Sequence, residues 1–331
     1  MYSMHPYYSK HHTVTGTYSY PNNVLNLETE PRQNGILLKV ANNKLTNTVE
    51  SVPILPESGE ITALESYLGF VFLIINDFLI KMRIYPDIQV VKTVRGFRNT
   101  KLIAGAFPDR TEGPHIYTIT NGKLLKINMD TLEIVKKSRD WGDARLMDAA
   151  GPNLYVVVGN DLIKVNAANL EEGPRVRGWN DATLFAVPGD AYIYAIKGDE
   201  LIRFREGDLQ RDPDVEPARG WRRATLMAGT GNRIYIVKDE ELSSVIGSTL
   251  QSDLNVESSF GWGNATFMSS WGEHIFLITE EANRFKNLEQ SYSSYIDYNH
   301  YNFQYVLPNA PSYYRSNYYP YYPYYLYYSN Y

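Results

Sequence analysis

Between Trp179 and Phe204 the chain reads WNDATLFAVPGDAYIYAIKGDELIRF. A polar pair follows the aromatic. Then come a short apolar run, a turn containing Gly, an alternating run, a tight acidic turn and a third apolar run, Leu201 to Phe204. Runs such as IYIV and LYVVV are rich in β-branched and aromatic residues, which suit pleated and mostly buried strands. Asn121-Gly122, Gly159-Asn160-Asp161 and Gly198-Asp199-Glu200 supply residues that tolerate the positive φ of hairpin turns. The pattern predicts short strands throughout, with no amphipathic helix of useful length between Gly59 and Leu288.

The same pattern opens at Phe97, Trp141, Trp179, Trp221 and Trp262, at intervals of roughly forty residues. Five residues after each aromatic stands a large apolar residue: Leu102, Leu146, Leu184, Leu226 and Phe267. A worn copy runs from Thr62, with Gly59 in the place of the aromatic. A period of this length with several strands per unit implies a propeller or solenoid, because one unit alone cannot bury its apolar face. Gly35 to Val52 matches only the back half of a unit, and the unit opened by Trp262 keeps only its front half. Joining the two closes a ring and removes two exposed sheet edges. The expectation is an all-β chain with one six-bladed propeller over residues 34–290, closed by an N-terminal strand. Without that closure, five blades or an irregular sixth would remain. The small residues of the A-T-L stretches are expected to let blades approach near the axis.

The ends differ in composition. Residues 1–33 are rich in Tyr and His, and residues 291–331 carry 16 of the 28 tyrosines. Both are expected to be disordered, low-complexity tails. Exposed aromatics promote association. The pairs Tyr318-Tyr319, Tyr321-Tyr322 and Tyr324-Tyr325 are therefore candidates for assembly through stacking or oxidative coupling. The net charge of −5 disfavours non-specific nucleic-acid binding. The apolar run Leu68 to Ile80 is broken by Asn76-Asp77 and reads as a hairpin, so no membrane span is expected. The first residues, MYSMHPYYSKHH, lack the apolar core of a signal peptide, and localisation is otherwise unreadable.

Catalytic signals are poor. The chain has no cysteine, which excludes disulfides and thiolate chemistry. Of six histidines, only His115 and His274 lie outside the tails, so no metal or cofactor is expected. Acidic residues are numerous, and a glycosidase pair among them would look like ordinary surface charge. The candidate ligand-binding residues are those just after each opening Trp: Asp143, Asn180 with Asp181, Arg222 with Arg223, and Asn264. Repeated once per blade, they are expected to cluster on one face. Trp271, a singleton within a turn, joins them as a stacking candidate. Phe97, Trp141, Trp179, Trp221 and Trp262 are read as structural wedges between blades.

The units resemble tectonin and tachylectin-type propeller repeats from about Gly35 to Leu288. The shared elements are an opening Trp, a short A-T-L strand, G-x-x-(I/L)-Y-x-(I/V) and a following L-I-(K/R)-(F/V) strand. The resemblance implies a lectin-like protein without enzymatic activity, binding glycans weakly at repeated sites and avidly on a repetitive surface. The tails are similar in composition to spore-coat and surface-layer proteins. The leading expectation is thus a lectin-like propeller on a glycan or cell-envelope surface, with tails that anchor or self-associate. A structural coat or matrix protein that contacts only protein neighbours is the alternative. A hydrolase or lyase on the propeller scaffold ranks third.

Overall fold

The computed structural model describes residues 35–46, 48–54 and 59–279. The expected tails, with Tyr318, Tyr319, Tyr321, Tyr322, Tyr324 and Tyr325, lie outside the described residues. Strands pair antiparallel in six separate sheets, and the first strands of the six sheets pack side by side around a closed ring. The fold is a six-bladed β-propeller. Among the described residues no helix is long and apolar enough to cross a membrane.

Blades 1 to 5 follow the chain, their first strands being Ile61–Tyr67, Thr100–Ala106, Ala144–Ala150, Ala182–Ala186 and Ala224–Thr230. Blade 6 takes Ala265–Trp271 and His274–Thr279 from one end of the ring, and Ile36–Ala41 and Thr48–Pro53 from the other. Leu38 lies opposite Leu277 in that closing ladder. Because the joined strands come from distant parts of the chain, the closure satisfies backbone groups that two open edges would expose.

The repeat explains the ring's local geometry. Every first strand carries a bulge at the same place, and the bypassed residues are Thr62, Lys101, Arg145, Thr183, Thr225 and Thr266. The Thr of A-T-L is therefore a bulge residue. In three blades its hydroxyl donates back to a second-strand carbonyl, as from Thr183 to Ile196 at 3.3 Å. Blades also approach closely further along, where a Cβ at Gly105 would overlap the Tyr67 ring. The bulge register also corrects the alignment of the worn unit: Gly59 stands one position past the aromatic's place.

Phe97, Trp141, Trp179 and Trp262 are buried, and Trp221 is half-buried. Trp179 packs with Phe204 at 4.8 Å between ring centroids and lies in one apolar cluster with Tyr155 and Leu162 of the preceding blade.

Candidate functional site

In a four-stranded antiparallel meander, the second-to-third connection and the link to the next blade emerge at one end of the strands. The other connections emerge at the opposite end. The propeller therefore has two faces built from different loops.

The first face is built from one repeated lock. Each opening aromatic donates its N–H to a carbonyl in the preceding blade's second-to-third turn: Phe97 to Asp77, Trp141 to Gly122, Trp179 to Asn160, Trp221 to Asp199 and Trp262 to Glu240. Each aromatic carbonyl then accepts from the N–H three residues on, at 3.0–3.2 Å, which closes a β-turn. In three blades a turn side chain also accepts the next N–H, Asp77 from Arg98, Asn160 from Asn180 and Asp199 from Arg222. The candidate residues are the central residues of these β-turns.

Asp143, Asn180, Asp181, Arg222, Arg223 and Asn264 are all exposed and share this face. Two of them are engaged within their own blades. Asp181 faces Lys197 at 3.5 Å, and Arg223 faces Asp239 at 2.7 Å. The side chains of Asp143, Asn180, Arg222 and Asn264 point out of rigid turns. Arg98 and Asn99 occupy the corresponding turn in blade 2, so a fifth blade presents the same position. That pair stands at the same offset in the sequence, but its unit opens with Phe and not with the Trp that marks the others. Trp271 is apart from the set: it ends a first strand, beside a first-to-second turn, and so lies toward the opposite face.

That opposite face holds the cavities. One, of about 290 Å³, is the axial channel. Leu64, Ile103, Met147, Phe185, Met227 and Met268, one from each blade, share a register position on its wall, and Trp271 lines it too. The next position carries Glu65, Asp148 and Ser269 in blades 1, 3 and 6, and Ala in the other three. Each polar side chain pins the following blade. Glu65 accepts from the Gly105 N–H at 3.1 Å, Asp148 from Val187 at 2.7 Å and Ser269 from Ser66 at 2.9 Å. Burial, followed by the charge of Asp148, holds Glu65 well above the usual carboxylate range. Burial likewise pushes Asp148 up to about 7, against the pull of its bonds from Val187 and Ala149. Both carboxyls keep some surface on the channel although protein surrounds them. Their N–H partners account for their burial as pins between blades. No group of three or more His, Asp or Glu suited to a metal ion occurs among the described residues.

Toward this face the blades are also tied by buried and half-buried side chains. The fourth residue of a third strand is Lys or Arg in five blades. Each cation donates to a carbonyl of the next blade: Lys81 to Met129, Lys126 to Ala168, Lys164 to Glu206, Arg203 to Gly247 and Lys39 to Ile84. Second-strand tyrosines assist two junctions, Tyr117 bonding the Ala167 carbonyl at 2.8 Å and Tyr155 the Glu206 carboxylate at 3.0 Å. The cations stood in the sequence as the K/R of L-I-(K/R). Their role needed the neighbouring blade to become visible.

No protein-family model matches this chain, and no curated protein matches it. The chain is similar to several solved structures at very low identity. The Pan2 WD40 domain of Neurospora crassa is 10% identical over 75% of this chain and 83% of that one, with a TM-score of 0.49. The structure of U3-55K is 8% identical over 75% of this chain and 90% of that one, again at 0.49. PorZ, a surface component of the type-IX secretion system of Porphyromonas gingivalis, is 14% identical over 69% of this chain and 36% of its own, at 0.47. Such likeness says nothing of what this chain binds, and the six blades stand on the strand pairing itself.

Proposed function

We propose that the chain is a non-enzymatic, lectin-like binding propeller of the tectonin or tachylectin type. It would recognise a repetitive glycan or envelope surface through the ring of turn side chains. One observation carries the reading. Asp143, Asn180, Arg222 and Asn264 are exposed on one face, one in each of four blades, while the backbone beneath each is fixed by the same lock. Rigid display lowers the ordering cost of each contact, and repetition adds avidity on a surface with matching spacing. The residues differ in charge, so individual blades would contribute unequally. The propeller is taken as residues 34–290. The flanking Tyr-rich segments, 1–33 and 291–331, would promote assembly or anchoring.

A glycan array and an envelope pulldown test this reading. The full chain should bind a defined glycan, and the combined variant Asp143→Ala, Asn180→Ala, Arg222→Ala, Asn264→Ala should lose binding by at least tenfold with an unchanged unfolding transition. Equal retention of both proteins on surfaces lacking glycan would favour the second reading, a coat or matrix component whose propeller is a spacer.

A further inference from the structure

The outer rim of blade 2 breaks a charge pairing that blades 3 and 4 keep. The first residue of the third strand is Asp161 in blade 3 and Glu200 in blade 4. Each stands opposite an arginine of the outer strand, Arg177 and Arg219. Glu200 pairs with Arg219 at 3.2 Å. Asp161 lies 4.0 Å from Arg177 and pairs with Arg175 at 3.2 Å. In blade 2 the same position is Lys123. The register that sets Ser138 opposite Leu124 carries on to bring Arg139 level with Lys123. Like charges thus face each other where the next two blades have ion pairs, an arrangement that costs stability.

Strand alternation collects further cations on the same side. Lys123 and Leu125 share one side of the third strand, and Lys137 lies opposite Leu125. Leu125 packs in one apolar cluster with Phe72 and Leu79 of blade 1, so Lys123, Lys137 and Arg139 border the cleft between blades 1 and 2. Across that cleft, Val94 of blade 1 packs on the same cluster, and Lys92, two residues before it, stands on the same side. Burial lowers the nearby Lys81 ammonium below the usual lysine range, and the charge of Lys92 adds to that fall against the pull of Asp130.

Lys92, Lys123, Lys137 and Arg139 are all exposed, and among the described residues none of their side chains has a hydrogen bond or an ion pair. The acids nearby are engaged elsewhere, Asp130 with Lys81 at 3.4 Å and Asp77 with Arg95 at 3.2 Å. Asp140, next to Arg139, is the single acid in residues 134–142. The whole chain carries a net charge of −5, so this concentration of positive charge is local. Ammonium and guanidinium heads without partners suit carboxylate and sulfate groups, and Arg adds the specificity of its fork. Lys123 and Arg139 also flank the Gly122–Trp141 lock, which joins the cleft to the face that displays the turns.

We propose that the cleft between blades 1 and 2 binds an acidic polysaccharide, with Lys92, Lys123, Lys137 and Arg139 pairing to carboxylate or sulfate groups along it. The proposal rests on the glycan-binding reading of the turn face and names the class of glycan. A nucleic acid asks for a larger basic footprint than a chain of net charge −5 presents.

The test is binding of the full chain to dextran sulfate and to polygalacturonate, with uncharged dextran and a thymidine oligonucleotide as controls. At least one acidic polymer should bind about tenfold more tightly than either control, with an affinity that falls as salt rises. The stronger of the two identifies the group recognised, sulfate or carboxylate. Lys123→Glu restores the acid of blades 3 and 4, so it should keep or raise Tm while weakening that binding about tenfold. Lys44→Glu makes the same charge change on the opposite face, in the exposed connection between Ile36–Ala41 and Thr48–Pro53, and should leave binding unchanged. Should Lys123→Glu fail to fold, the double variant Lys137→Gln, Arg139→Gln carries the test with the same expected loss. Binding of neutral glycans on the array without preference for either acidic polymer would overturn the proposal and leave the glycan reading standing. Tighter binding to the oligonucleotide, an equal loss in Lys44→Glu, or undiminished binding in the cleft variants would also overturn it. The glycan reading has its own test in the four-residue turn variant.

Discussion

The two faces of the propeller are made from the same repeat but held by different means. On the turn face the five junctions opened by an aromatic all use one backbone lock, from that aromatic to the preceding turn. That lock consumes main-chain groups and leaves side chains outward. On the cavity face the ties are side chains, and they differ from junction to junction. Blades 3 and 4 are joined by a pin from Asp148, a latch from Lys164 and a phenol from Tyr155. Blades 5 and 6 have neither the pin nor the latch, with Ala228 and Ser244 at those positions. A repeat can keep a main-chain device in every copy at little sequence cost. Side-chain devices drift independently.

Substitutions on the two faces should therefore separate stability from binding. The largest stability loss is expected at the wedge. Trp179→Ala should cost about 3–5 kcal/mol in denaturant unfolding. Trp221→Ala should cost clearly less, since Trp221 is only half-buried. Equal losses would contradict the described packing.

Next comes the latch. Arg203→Met should cost about 3 kcal/mol, because Asp212, 3% exposed at its side chain, is left charged and unpaired. Adding Asp212→Asn should recover part of that loss, and a double variant no better than the single would argue against the pair.

The pin gives a pH signature. Asp148 ionises near 7 when folded, against 3.8 for an ordinary aspartate. Between those values the folded state holds the extra proton, so this group favours folding in acid and its contribution declines as pH rises toward 7. Asp148→Asn should flatten that slope in the pH dependence of Tm. An unchanged slope would mean that Asp148 is ionised throughout.

The smallest effect belongs to the turn face. Asp199→Ala removes the acceptor of the Arg222 N–H and should cost about 1 kcal/mol.

Much of this arrangement was legible in the chain. The opening aromatics, the hairpin turns and the divided last blade are encoded locally, so spacing alone implied six blades and their closure. The turn residues Asp143, Asn180, Arg222 and Asn264 were legible for the same reason. What stayed hidden depends on neighbours. Glu65 and Asp148 occupy a position that is Ala in three blades, and nothing local marks them as ties. Ser244 is an ordinary polar residue in a strand until the cations at the same place in five other blades are seen reaching across. Trp271 looked like a companion of the turn residues because its turn is also polar, yet strand polarity places it at the other end of the blade.

The most direct test of the account compares the faces in one binding experiment. The full chain, the four-residue turn variant and Ser244→Lys would be passed over the same glycan-bearing envelope material, with unfolding transitions recorded for each. The account predicts that the turn variant loses retention while Ser244→Lys binds as the unaltered chain does. Retention that survives the turn variant but fails in Ser244→Lys would place envelope binding on the cavity face and contradict it.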